Sequence, residues 1–128
     1  MSELRFGPDV SARLRARGDG FDERAYLFVL SAIEYLQGSL PARRHVSGRE
    51  LALACRQYAL EQFGLLARTV LEHWGIRKTD DFGRIVFTLV EIGLLVTRSE
   101  DREEDFREVY TFEEAFEASY VWQGIREV

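Results

Sequence analysis

The sequence predicts a mainly α-helical chain with one small β-hairpin: a winged-helix-like domain behind an N-terminal helical extension. Three observations predict it. Capping residues recur at Asp22, Ser47, Thr79 and Thr111, each just ahead of an apolar run with helical spacing. GIRKT, residues 75–79, is a glycine-containing turn of the length that joins two steeply crossing helices. The strand-like run at residues 94–97 and the alternating FREVYTF then read as the two arms of a hairpin. The alternative architecture is an irregular helical bundle with an accessory hairpin.

Taken in order, residues 1–20 form an arm in which Gly7, Pro8, Gly18 and Gly20 bracket a short, weakly helical SARLRAR. The tripeptide at residues 17–19, RGD, reads as chance. Residues 21–128 follow as a single domain, with 49–112 as its winged-helix-like core. The first strong helix starts at Asp22, with Phe21 and Tyr26 placed as a hydrophobic staple. Tyr26, Val29, Leu30, Ile33 and Leu36 form its apolar stripe, and Gly38 and Pro41 end it. Ser47 and Glu50 match a capping box for a second helix carrying Leu51, Cys55 and Tyr58. Gly64 separates it from LLARTVLEHW, which should stop at Gly75 with Ile76 as the apolar contact of a Schellman end.

Thr79 is the expected N-cap of the next helix, with Asp80 and Asp81 where the helix dipole favours acids. Phe82, Ile85, Val86, Leu89 and Gly93 fall on one arc, which leaves Arg84, Phe87, Thr88 and Glu91 facing outward. A second capping box at Thr111 and Glu114 opens a last helix with Phe112, Phe116, Tyr120 and Trp122.

A chain of 128 residues, 46% hydrophobic, is long enough for one domain with its own core. The single cysteine cannot close an internal disulfide, and the first residues lack a signal-peptide pattern, so a cytoplasmic protein is expected. No apolar run approaches the roughly 20 residues of a membrane helix. Charge is unevenly spread. Residues 1–78 hold 12 Lys and Arg against 9 Asp and Glu, whereas residues 79–128 hold 5 against 13.

That imbalance bears on function. A DNA-reading helix needs several cations for phosphates. The one here begins with two aspartates, and residues 98–108 after it carry six acids to three arginines. Duplex DNA is therefore disfavoured, and a protein partner or a second copy becomes the expected target, met through Arg84, Phe87 and Glu91. The alternative is a nucleic-acid or ribosome-associated protein that binds RNA through Arg13, Arg15 and Arg17, with Arg43, Arg44 and Arg49 as an anion-binding cluster. Catalysis is not expected: Cys55 and His73 lack a third orienting group, and GxGxxG, P-loop and HExxH motifs are absent. His45, Cys55 and His73 match no zinc spacing, so neither metal nor cofactor is expected. The reading is a non-catalytic interaction module.

The pieces HVSG, LEHWGI and the run DFG…LVEIGLL, within residues 21–118, resemble an uncharacterised bacterial family of short conserved proteins found in planctomycete and verrucomicrobial genomes. The resemblance implies one coherent domain in a bacterial cytoplasmic protein. It implies no activity, ligand or catalytic residue.

Overall fold

Side chains close to each helix end decide where the helices start and stop. A computed structural model describes residues 6–118, and five α-helices form within them: α1 (Pro8–Arg17), α2 (Glu23–Gly38), α3 (Gly48–Phe63), α4 (Ala67–His73) and α5 (Thr79–Glu91), with short 3-10 turns at Gly64–Leu66 and Glu103–Phe106 and a π-helical turn at Glu113–Ala118. Asp22 caps α2 by accepting the Arg24 N–H at 2.9 Å, and the Phe21 and Tyr26 rings meet edge to face 6.0 Å apart as the expected staple. The capping box of α3 is complete: the Ser47 hydroxyl accepts the Glu50 N–H, and the Glu50 carboxylate accepts the Ser47 N–H. After α4 the Ile76 N–H reaches the Leu71 carbonyl at 2.9 Å and the Gly75 N–H reaches Glu72. This is the Schellman end, with Gly75 at φ +97° and Ile76 fully buried.

α2 packs against both α3 and α5. Alanines on α2 (Ala25, Ala32) and α3 (Ala52, Ala59) are wholly buried and let backbones approach, while Phe82, Ile85 and Leu89 of α5 fill the centre. Phe82 stacks between Phe28 and Phe112, at 6.4 and 6.1 Å. Burying a side chain of that size contributes about 1.5–3 kcal/mol. Within the N-terminal arm, α1 seats Leu14 and Ser11 against the rest.

No hairpin forms: the described residues contain no strand, so neither the winged helix nor a bundle with an accessory hairpin is the fold. Among the described residues all regular structure is helical. Three causes are visible. First, α5 ends on a second Schellman pattern, with the Leu94 N–H on the Leu89 carbonyl and Gly93 at φ +86°, so Leu94 is spent closing a helix. Second, the Asp101 and Asp105 carboxylates accept the Arg98 and Arg102 N–H groups, turning the backbone away from a ladder. Third, the Glu108 and Val109 N–H groups, which a strand would offer to its neighbour, donate instead to Asp80 and Thr79. The Thr79 hydroxyl is therefore used across the chain and does not cap its own helix. Asp81 covers that end by accepting the Arg77 and Lys78 N–H groups.

Residues 94–111 run as a connecting segment with one short turn, Glu103–Phe106. Its Phe106 ring is wedged between α3 and α5. A Cβ added at Gly48 or at Gly83 would come within 2.9 Å of that ring. Thr111 and Glu114 form the second capping box, and Phe112 and Phe116 are buried. Tyr120 and Trp122 lie outside the described residues.

Candidate interaction site

The outward face of α5 is divided between two covers. On one side the segment joining α1 to α2 lies across it. The Asp19 Oδ2 accepts three donors: Arg17 Nε at 3.1 Å, the Thr88 hydroxyl at 3.2 Å and the Tyr26 hydroxyl at 3.3 Å. Thr88 and Tyr26 are buried, so this carboxylate satisfies hydroxyls that would otherwise be stranded. Burial pulls the Asp19 carboxyl upward, but the bonds from Arg17, Thr88 and Tyr26 hold it below the usual range. Burial, with Asp19 nearby, pushes the Tyr26 hydroxyl up to about 12. Arg17 continues to Glu91 at 2.6 Å. Arg84 lies over the Phe21 ring, 5.0 Å from its centroid, and also bonds Asp81. Two of the three residues expected to meet a partner, Arg84 and Glu91, are thus engaged within the chain.

Phe87, the third, turns to the other side. It is half-buried against the core and lines a half-open recess of about 210 Å³ between α2, α3, α5 and residues 95–106. Ile33, Val86, Leu95 and Phe106 complete its apolar wall. Val96 stands on the rim, 93% exposed, and Leu94 beside it is also exposed. The polar rim is committed to itself. Gln37 both donates to the Arg44 carbonyl and accepts its N–H. His45 Nε2 meets Asp101 Oδ1 at 3.0 Å, while the other Asp101 oxygen holds the Arg98 N–H.

The basic cluster is likewise paired. Arg43 makes a two-pronged bond to Glu34 and Arg44 one to Glu50, whereas Arg49 is exposed. The Arg44 guanidinium, helped by the Ser47 N–H, lowers the Glu50 carboxyl to about 2. In the arm, Arg13 and Arg15 are exposed, and Arg15 lies 3.9 Å from Glu23. Cys55 is fully buried, and burial pushes its thiol well above the usual range; His73 is exposed, so the structure does not bring them together as a catalytic pair. Among the described residues no group of three or more His, Cys, Asp or Glu is placed to hold a metal, and no helix is long and apolar enough to cross a membrane.

No protein-family model, curated protein or solved structure matches the chain. Nothing from known proteins therefore bears on the bacterial-family resemblance.

Sequence reasoning missed Asp19, Phe106 and Val96. One signal was present for Phe106. Gly83 sits inside a strongly periodic helix, where glycine costs about 0.5–1 kcal/mol against alanine, and such a residue marks a close approach. Asp19 carried no comparable signal, because its partner Thr88 lies 69 residues away.

Proposed function

We propose that the chain is a non-catalytic interaction module that binds a protein partner at the recess beside Phe87. The observation that carries this reading is the pairing of an apolar hole with an apolar lip: Phe87 lines the one and Val96, 93% exposed, forms the other. An exposed aliphatic side chain beside a recess is the arrangement in which a partner's anchor residue finds both a pocket and a dry edge. The nucleic-acid alternative draws less support, because Arg17, Arg43 and Arg44 are matched by Asp19, Glu34 and Glu50.

The test uses the chemistry of the only cysteine. Cys55 is buried, so Val96→Cys introduces a single accessible thiol that can carry a photo-crosslinker. We expect a protein adduct in host cells from position 96 and none from Gln62→Cys, an exposed position at the far end of α3. Adducts of equal yield from both positions, or a nucleic-acid adduct from position 96, would overturn the reading.

A further inference from the structure

We propose that the recess takes one large apolar side chain presented on a basic segment of the partner protein. This deepens, and rests on, the reading of the chain as an interaction module. Three properties select that occupant. The first is size. A volume of about 210 Å³ falls below the roughly 300–1,000 Å³ of small-molecule sites, yet a cavity of about 150 Å³ already admits a benzene ring. One leucine- or phenylalanine-sized group fits. The second is the apolar part of the wall, to which Ile33, Leu51, Val86, Phe87, Leu95 and Phe106 contribute. Part of the polar lining is already engaged, since Gln37 and Arg44 bond each other and His45 bonds Asp101.

The third property is the field at the mouth. On one side the positive charges of Arg43 and Arg44 are cancelled by Glu34 and Glu50. On the other, Asp101 and Asp105 line the recess against a single arginine, Arg102, within a segment, residues 98–108, that carries six acids to three arginines. The net field is negative, which attracts a basic flank and repels phosphates and acidic peptides. A second copy of this chain, net charge −5, matches that field poorly.

The experiment titrates the isotope-labelled full chain with three capped pentapeptides, followed by amide shifts. One has leucine at the centre and arginine at the other four positions. The second replaces the leucine with alanine, and the third replaces the arginines with glutamate. The leucine–arginine peptide should shift the Gly48, Phe87 and Val96 amides and bind more weakly as salt rises. The alanine version should bind about tenfold more weakly or worse. The glutamate version should not bind. Arg102→Glu, at an exposed side chain that lines the recess, should strengthen binding of the leucine–arginine peptide. Equal binding of the leucine and alanine peptides would leave only charge attraction and overturn the proposal. So would equal binding of the glutamate peptide, shifts elsewhere on the surface, or the same amides moving on dilution of the chain alone, which would make a second copy the occupant. If the peptides fail while position 96 still crosslinks to a protein, the basic partner is wrong and the interaction reading stands.

Discussion

The two flanks of α5 are covered by irregular segments of similar kind, yet one closes and the other does not. On the Asp19 flank, one carboxylate oxygen draws Arg17, Tyr26 and Thr88 together and leaves no hydroxyl stranded. On the Phe106 flank, closure depends on shape: a ring fitted where Gly48 and Gly83 leave no room for a Cβ, with a recess remaining beside it. A converging set of hydrogen bonds can draw a loop down at a point. Apolar contact must fill a volume, and the side chains of residues 94–106 do not fill this one. The unfilled flank is where a partner can contribute what the chain lacks.

The largest test of that contrast is Phe106→Ala. Removing a buried phenylalanine costs about 3–5 kcal/mol, and the recess should merge with the vacated space. Gly83→Ala alone should also destabilise, because its new Cβ would lie 2.9 Å from the ring and 3.1 Å from the Glu103 carbonyl. Combined with Phe106→Ala, the Gly83 substitution should lose the part of its penalty due to the ring, while the Glu103 carbonyl and the Cβ of residue 106, both at 3.1 Å, keep the rest, a coupling read by denaturant unfolding of the single and double variants. Simple additivity would mean that the glycine is not there for the ring.

On the other flank Asp19→Ala strands two buried hydroxyls and should cost about 1–3 kcal/mol. Adding Thr88→Val and Tyr26→Phe should recover part of that loss, since polar groups removed together need no partners. No recovery would mean that Asp19 acts through Arg17 and Glu91 alone. The same contrast explains what was legible in the sequence. Ser47 with Glu50, Phe21 with Tyr26, and Gly75 with Ile76 lie within a turn or two of each other, so local spacing reveals them. The strand pattern at residues 94–97 and 106–112 was real as a pattern. It lost because Thr79 and Asp80, about 30 residues earlier, captured the N–H groups it needed. Arg84 and Glu91 are exposed as helical periodicity expects, but Thr88 is buried, because periodicity says which side is polar, not that an aspartate from the α1–α2 segment will cover part of it.

The smallest effect on stability belongs to the rim of the open flank. Glu50 has a folded pKa of about 2, held down first by Arg44, against about 4.3 when unfolded. A depressed carboxyl stabilises the fold above its unfolded value and loses that contribution as pH falls toward the folded one. Glu50→Gln should therefore be less stable than the parent at neutral pH, with the gap closing between about pH 5 and pH 2. The pair is solvent-exposed, which limits the gap to under about 1 kcal/mol. A pH-independent gap in urea unfolding would mean that the Glu50 charge contributes nothing to stability. Binding should register the change more sharply than stability does. Freed from Glu50, the Arg44 guanidinium adds an uncancelled positive charge to the mouth, so the leucine–arginine peptide should bind Glu50→Gln more weakly, and added salt should shrink that difference.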